Sequence, residues 1–224
     1  MEIIARIRSD FPTKFAIPRQ SGLLQELESY VVFEEKYRNP DYLRGIESFS
    51  HLWLIWCFSE NVDKGSSPTV RPPRLGGNQR VGVFATRSPF RPNPIGLSSV
   101  RLLRTEKTKE GVCLVVSGAD LMDGTPIYDI KPYLAFSDSH PEAVGGFADE
   151  HLNDALDVSF SEELLSVFPE EKREAIVKIL AQDPRPSYHD DPERVYGFPF
   201  AGFEIHFTVE GKLLNVVGVE KISQ

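Results

Sequence analysis

Short apolar stretches, each bounded by proline, glycine or charged residues, run from residue 3 to about residue 138. The most apolar of them, HLWLIWCF at residues 51–58, carries aliphatic or aromatic side chains on both faces, which is typical of a central buried strand. Further strands are predicted in IIARIR, LESYVVFEE, VGVFAT, GLSSVRLLRTE, GVCLVVSGADL and DGTPIYDIKPYL, and a short helix in NPDYLRGIESF. Because helices do not alternate with these strands, the pattern favours a closed or strongly curved β-barrel over a doubly wound sheet.

The pattern changes after residue 140, where HPEAVGGFADEH is a predicted linker. SEELLSVF and PEEKREAIVKILAQ predict two helices, the second with Pro169 at its first turn. Residues 183–202 are a predicted loop, and FEIHFTV and LLNVVGVEKI predict a β-hairpin. The expected division is therefore a β-barrel domain at 1–142 and a small α+β domain at 143–224.

Several function classes have no support in the sequence. No apolar run approaches the ~18 residues of a membrane-spanning helix, so no membrane association is expected. The five histidines form no i, i+4 pair and there is no CxxC, so no metal is expected. There is no GxGxxG and no GxxxxGK[ST], so a Rossmann nucleotide site or a P-loop is not indicated. Cys57 and Cys113 lie in apolar runs and are expected to be buried, which fits a reducing cytoplasm.

Charge is unevenly distributed in this chain of net charge −8. From Lys64 to Thr105 there are eight basic residues and no acidic one, whereas the rest of the chain holds 17 basic and 33 acidic residues. Segregation of this kind is typical of a surface that binds phosphates or a polyanion. The alternative is a surface whose arginines pair with acids from elsewhere in the fold.

Within the basic segment, SPFRPNPIG is a loop with little backbone freedom, because each proline fixes its own φ and restrains the residue before it. A preordered loop that carries Arg87, Arg91 and Asn93 is suited to hold hydrogen-bond donors for a ligand at a low entropic cost. The alternative is a structural crossover whose arginines face solvent. AIPRQSG and DLMDGTPIYDIKPYL are two further candidate loops, and Asp129 or Tyr133 in the latter could accept a proton during a transfer reaction.

The blocks FSHLWLIW, TVRPPRLGG, VGVFATRSPFRPNPIGLS, DGTPIYDIKPY and AQDPRPSY, in this order, closely resemble the TsaA-like (TrmO) family over nearly the whole chain. This resemblance implies an S-adenosylmethionine-dependent tRNA methyltransferase with a non-Rossmann β-barrel fold, acting as a cytoplasmic homodimer. The implied reaction is methylation of N6 of the threonylcarbamoyl-adenosine at position 37 of threonine tRNA. The alternatives are a non-catalytic RNA- or nucleotide-binding module and a methyltransferase that acts on another small substrate.

The resemblance also implies site residues. The cofactor site is expected to include Pro18, Arg19, Gln20, Arg87, Leu97, Met122, Asp123, Gly124 and Thr125. Ser59 and Glu60 replace a His-Gln pair that many bacterial members carry after the apolar strand, and Glu60 could pair with the methionyl ammonium. Arg71, Arg74, Arg80 and Arg91 are expected to bind anticodon-loop phosphates or the carboxylate of the modified base. The candidates for the acceptor of the N6 proton are Asp129, Asn93 and Tyr133.

Overall fold

The fold was analysed in a computed structural model that describes residues 1–18, 20–72, 75, 79–151, 155–185 and 191–222. Arg19 and Arg74 lie outside the described residues. The strands are β1 (Ala5–Arg8), β2 (Glu28–Phe33), β3 (His51–Cys57), β4 (Thr69–Val70), β5 (Val81–Gly82), β6 (Ile95–Thr108), β7 (Gly111–Ser117), β8 (Pro126–Pro132), β9 (Asp157–Ser159), β10 (Tyr196–Phe200), β11 (Phe203–Glu210) and β12 (Leu213–Lys221). The α-helices are α1 (Ala135–Asp138), α2 (Glu162–Leu165) and α3 (Glu170–Ala181).

Six strands form a sheet that closes on itself in the order β1–β2–β7–β6–β3–β8, with β8 paired to β1. All of its pairs are antiparallel. Strand β3 lies between β6 and β8, and Leu52, Leu54 and Trp56 alternate toward the interior, as the two-residue period of a strand requires. The prediction of a mainly β chain without alternating helices and parallel strands is confirmed for this sheet.

Two separate hydrophobic cores hold the chain together. One fills the closed sheet and includes Ile7, Val31, Leu54, Leu114 and Ile127, all of which are fully buried. The second lies between α3 and a sheet of order β10–β11–β12–β9. Phe11, Leu24 and Leu27, from the segment between β1 and β2, also belong to this second core, so that segment packs against the C-terminal part of the chain.

Three local predictions differ from the structure. The helix predicted at 39–49 is two short 3₁₀ turns, Pro40–Leu43 and Ile46–Ser48, because Gly45 between them has φ of +88° and cannot continue a helix. The strand predicted at 81–86 ends after Gly82 and becomes a 3₁₀ turn, Val83–Ala85. The predicted loop at 183–202 contains β10, whose Pro199 is tolerated because β10 is an edge strand.

The proline-rich loop between β5 and β6 is fixed to its surroundings by backbone hydrogen bonds. Ser67 N–H donates to the Phe90 carbonyl at 3.1 Å, and Phe58 N–H donates to the Pro94 carbonyl at 2.8 Å. Within the loop, Ile95 N–H donates to the Asn93 carbonyl at 2.7 Å. The loop is therefore held against the segment that follows β3, which fixes the position of its arginines.

Candidate active site

A cavity of about 580 Å³ opens where three of the predicted loops meet. Its walls come from the segment before β2, from the end of β3 and the 3₁₀ turn Ser59–Lys64, from the proline-rich loop and the start of β6, and from the segment between β7 and β8. The first of these segments contributes Lys14, Ile17, Pro18, Gln20 and Ser21, and the last contributes Asp120, Met122 and Thr125. Loops that lie far apart in the sequence thus share one concave surface. Its volume is within the range of 300–1,000 Å³ that is typical of small-molecule sites.

The apolar wall of the cavity depends on Trp56 and Gly96, which face each other across β3 and β6. The indole lies directly over Gly96, so a Cβ atom at this position would come within 2.2 Å of the ring. Phe58 packs edge-on against Trp56, with 4.3 Å between the ring centroids. Glycine is therefore required at position 96 to let the indole lie flat along the strand.

A buried chain of hydrogen bonds runs behind this wall. Trp56 Nε1 donates to Ser98 Oγ at 2.9 Å, and Ser98 Oγ donates to Asp120 Oδ1 at 2.5 Å. Asp120 is half-buried and lines the cavity. Burial raises the pKa of the Asp120 carboxyl, and the hydrogen bond from Ser98 and the charge of Arg87 offset part of that rise.

Two of the three described cations that line the cavity, Arg87 and Arg91, belong to the proline-rich loop. Arg87 donates to Gln20 Oε1, which ties this loop to the segment before β2. Arg91 Nη1 donates to the Thr86 carbonyl at 3.3 Å, and Lys14 lines the cavity from an exposed position. Since Glu60 contributes a second, exposed carboxylate, the cavity offers donors and acceptors of both signs beside an apolar wall.

Most of the residues predicted for the cofactor site line this cavity, namely Pro18, Gln20, Ser59, Glu60, Arg87, Leu97, Met122 and Thr125. Asp123 and Gly124 do not. Asp123 accepts a hydrogen bond from Ser9 N–H at 3.1 Å and pairs with Arg8 at 3.8 Å, and the Gly124 carbonyl accepts from Arg6 Nη1 at 3.2 Å. Asp123 and Gly124 thus hold the turn against β1 and its end.

The three predicted proton acceptors lie outside the lining of the cavity. Asp129 pairs with Lys131 at 3.0 Å on the outer face of β8. Asn93 offers its carbonyl to the Ile95 N–H within the loop. Tyr133 packs against Trp53, with 5.4 Å between ring centroids, and Trp53 is itself part of the cavity wall, so Tyr133 stands one ring away. The catalytic roles of all three stay predictions.

The predicted substrate arginines divide into two positions. Arg91 lines the cavity. Arg71 and Arg80 are exposed and do not line it, and Arg80 Nε donates to Thr69 Oγ1 at 2.8 Å. None of the three forms an ion pair with a described residue. Arg104, from the same acid-free segment, instead makes a two-pronged pair with Glu28 at 2.7 and 2.9 Å. The pairing alternative is thus correct for Arg104.

Sequence reasoning missed the aromatic wall as part of the site, whereas Asp120 is the first residue of the candidate loop DLMDGTPIYDIKPYL. Trp53 and Trp56 were expected to be core residues, and Trp56 is indeed 8% exposed, but both also line the cavity. The signal for Asp120 was its position three residues after the apolar strand β7, because a carboxylate that becomes buried there needs a partner. Among the residues that the structure describes, no group of three or more potential metal ligands is present.

Comparison with known proteins agrees with this geometry. The profile of the tRNA-methyltransferase O N-terminal domain matches residues 6–139, and that of the TrmO C-terminal domain matches residues 153–222. The chain belongs to the tRNA-methyltransferase O family. The TrmO resemblance inferred from the sequence blocks is therefore confirmed.

Relatives of the family cover the chain almost completely. It is 42% identical over 227 residues to the tRNA (adenine(37)-N6)-methyltransferase of Escherichia coli K12, covering 98% of this chain and 97% of the relative. It is 40% identical to a putative S-adenosylmethionine-dependent methyltransferase of Pseudomonas aeruginosa PAO1, covering 91% and 90%. The crystal structure of TrmO from Pseudomonas aeruginosa superposes with a TM-score of 0.74 at 34% identity, covering 97% of this chain and 96% of that one.

No helix in the described part of the TrmO-family chain is long and apolar enough to cross a membrane.

Proposed function

We propose that this chain is an S-adenosylmethionine-dependent tRNA methyltransferase that acts on N6 of adenosine 37. The observation that carries the proposal is the convergence of Gln20, Glu60, Arg87 and Met122 on one cavity, in a family whose relatives are named for this reaction. The finer proposal, that the substrate is threonylcarbamoyl-adenosine in threonine tRNA, rests on the family resemblance. So do the homodimer, the β-barrel methyltransferase fold and the cytoplasmic location.

The residues of the cavity fit the proposed methyl donor. The apolar wall of Trp56, Phe58 and Leu97 is suited to contact a base or thioether carbons, and Gln20 and Arg87 present donors that suit a carboxylate. Glu60 and Asp120 supply the negative charge that a doubly cationic ligand needs. S-adenosylmethionine supplies a methyl group activated by its bond to a positively charged sulfur.

The main task of the protein is alignment. The exocyclic nitrogen of adenosine is a weak nucleophile because its lone pair is delocalised into the ring, so holding it in line with the methyl carbon accounts for much of the acceleration. The nitrogen must also lose its proton. Asp129, Asn93 and Tyr133 remain the proposed acceptors, and Tyr133 lies nearest to the cavity wall through its contact with Trp53.

Recognition of tRNA is assigned to the arginines that have no acidic partner among the described residues, Arg71, Arg80 and Arg91, together with Arg74. A guanidinium can bind phosphate or the carboxylate of a threonylcarbamoyl group in a two-pronged manner. The proposed division into a cofactor-binding domain at 1–142 and a small α+β domain at 143–224 is supported by the two matched domain profiles. The core of the closed sheet lies wholly within the first domain, whereas the second core also takes Phe11, Leu24 and Leu27 from it.

A binding titration and a methyl-transfer assay test the proposal. Calorimetry with S-adenosylmethionine is expected to show saturable binding to the folded chain. A chain that binds tRNA but no donor would instead be the non-catalytic RNA-binding module. Methyl transfer to tRNA with and without the threonylcarbamoyl group then tests the substrate, since uptake that does not depend on the group would remove the finer proposal. Lys109→Ala, an exposed change in the turn at the far end of β6, is the matched control.

A further inference from the structure

Of the two described carboxylates that line the cavity, Asp120 is the more buried one. Glu60 is exposed, as are Lys14 and Arg87, whereas Asp120, three residues after the end of β7, is half-buried and is held by Ser98 of β6 behind the aromatic wall. Because Ser98 also accepts the Trp56 N–H, the orientation of the carboxylate and that of the indole are set together. Asp120 is therefore a rigid negative group beside the apolar part of the site.

This negative group is held in place without being neutralised by direct contact. Its interactions include the hydrogen bond from Ser98, backbone hydrogen bonds from Asp120 itself and from Ser21, and the charge of Arg87, and it forms no ion pair with any described residue. Among the residues that the structure describes, the other titratable or charged groups that line the same cavity are Lys14, Cys57, Glu60 and Arg91. A half-buried carboxylate in this setting gains more from a ligand cation than an exposed one does.

The proposed donor carries two cations of different character. Its ammonium is compact and strongly hydrated, and it favours the exposed rim near Glu60. Its sulfonium is surrounded by carbon and weakly hydrated, so it loses less on entering an apolar site. The wall of Trp56 and Phe58 next to Asp120 combines an apolar surface and aromatic faces, which also attract cations, with the only carboxylate on that side among the described residues.

We infer that Asp120 is a specificity-determining residue that makes the cavity prefer the sulfonium form of the methyl donor over its neutral demethylated product. This inference rests on the proposed function, since it takes S-adenosylmethionine as the ligand. The donor and the product differ only in the methyl group and the charge at sulfur. A carboxylate at the sulfur therefore separates the two, whereas a contact to the adenine, the ribose or the ammonium binds both equally.

A preference for the sulfonium form favours turnover. Once the methyl group has left, the sulfur is neutral and Asp120 loses its partner, so the product is released more readily than the donor. Burial raises the pKa of Asp120 in the free protein, and a bound cation lowers it again. The preference for the donor over the product is therefore expected to fall as the pH drops into the range where Asp120 takes up a proton.

The test compares the dissociation constants of S-adenosylmethionine and S-adenosylhomocysteine by calorimetry, for the wild-type chain, Asp120→Asn and Glu60→Gln. Asparagine keeps an oxygen that accepts the Ser98 hydrogen bond, so the change removes mainly the charge. We expect Asp120→Asn to reduce the preference for the donor about tenfold, mainly through weaker donor binding. Glu60→Gln is expected to weaken both ligands by a similar factor and so leave the preference unchanged.

Equal weakening of both ligands by Asp120→Asn would overturn the inference, because Asp120 would then contact a part that they share or act only on the fold. If the variant does not fold, the same ratio measured on the wild-type chain from neutral to acid pH decides, and a ratio independent of pH would overturn it. Wild-type protein that binds neither ligand would overturn the proposed function itself. That failure is distinguishable, since the wild-type titration comes first.

Discussion

The two ends of β6 differ in whether the charged side chains there form ion pairs. At its far end, Arg104 pairs with Glu28 and Glu106 at 2.7–3.0 Å, and this guanidinium lowers the pKa of the Glu28 carboxyl. At its near end, Ser98 holds Asp120, whose pKa is raised by burial and which has no ion-pair partner among the described residues. Carboxylates and guanidinium groups thus form a network of ion pairs around Arg104, whereas at the cavity they remain available to a ligand. The charged side chains that line the cavity are thus ones that form no ion pair with a described residue.

The largest effect is expected from a side chain at Gly96, near the start of β6, where the Trp56 indole packs against the strand. Gly96→Val places carbon atoms where the Trp56 indole lies, since even a Cβ would be 2.2 Å from it. We expect displacement of the indole, a stability loss of about 1–3 kcal/mol and loss of donor binding by at least about 100-fold. Calorimetry with S-adenosylmethionine and thermal unfolding measure both.

Gly82→Ala is the matched control, because no atom lies within 4 Å of the Cβ that it would gain. Donor binding and stability close to wild type are expected for it. If Gly96→Val bound the donor as tightly as Gly82→Ala does, the assignment of this cavity would be wrong.

The second prediction compares one arginine from each end. Arg87→Ala removes a cavity cation that also anchors Gln20, and we expect donor affinity to fall about tenfold. Arg104→Ala removes a cation that is already neutralised, and we expect donor affinity to be unchanged. Isothermal titration of both variants checks the contrast. Identical affinities for the two would remove the distinction between open and paired charge.

A third and smaller effect is expected at the exposed arginines. Arg71→Ala and Arg80→Ala should each weaken tRNA binding a few-fold and reduce the slope of log K against log salt by about one. Donor affinity should not change, because neither residue lines the cavity. Filter binding over a salt series measures this, with Lys109→Ala as the control. A variant with the full wild-type slope would contradict a phosphate contact at that position.

The smallest effect concerns stability against pH. Glu28 has a lowered pKa, so its pair stabilises the folded chain above the pKa of the unfolded state, and this contribution is lost as the pH falls through the folded value. Asp120 has a raised pKa, so its ionised form costs stability as the pH rises through the raised value. At neutral pH we therefore expect Glu28→Gln to be slightly less stable than wild type and Asp120→Asn slightly more stable.

Both differences should shrink in acid, where all of the carboxyls are protonated. Urea unfolding at neutral and at acid pH measures them. Differences of the same sign for the two variants would contradict the contrast between the two carboxylates.

Sequence reasoning located much of the fold because alternation and turn chemistry are local. The buried strand at 51–57 follows from its short run of apolar residues on both faces, and the hairpin of β11 and β12 follows from alternation. Strand β9 has only three residues and carries no periodic signal. In β10, Tyr196, Phe198 and Phe200 alternate, but the proline between the last two argues against a strand. The strand predicted at 81–86 ends after Gly82, because the chain turns at Val83–Ala85, where Thr86 N–H donates to the Val83 carbonyl at 3.1 Å.

The site was predictable as a set of loops and less so as individual side chains. Rigid proline turns and charge indicated the loops that carry Gln20, Arg87 and Met122, which do share the cavity. The sequence could not show that the turn at Asp123 points its carboxylate toward β1, because the pairing of β1 with β8 decides that direction. Nor could it show that two hydrogen bonds connect Trp56 of β3, through Ser98 of β6, to Asp120 in the segment after β7.

The most direct measurement is a crystal structure of the chain with bound S-adenosylmethionine. The account predicts that the ligand fills the cavity between Trp56 and Arg87, with its sulfur within about 4–5 Å of the Asp120 carboxylate. A ligand bound elsewhere, or one in this cavity with its sulfur turned away from Asp120, would contradict it.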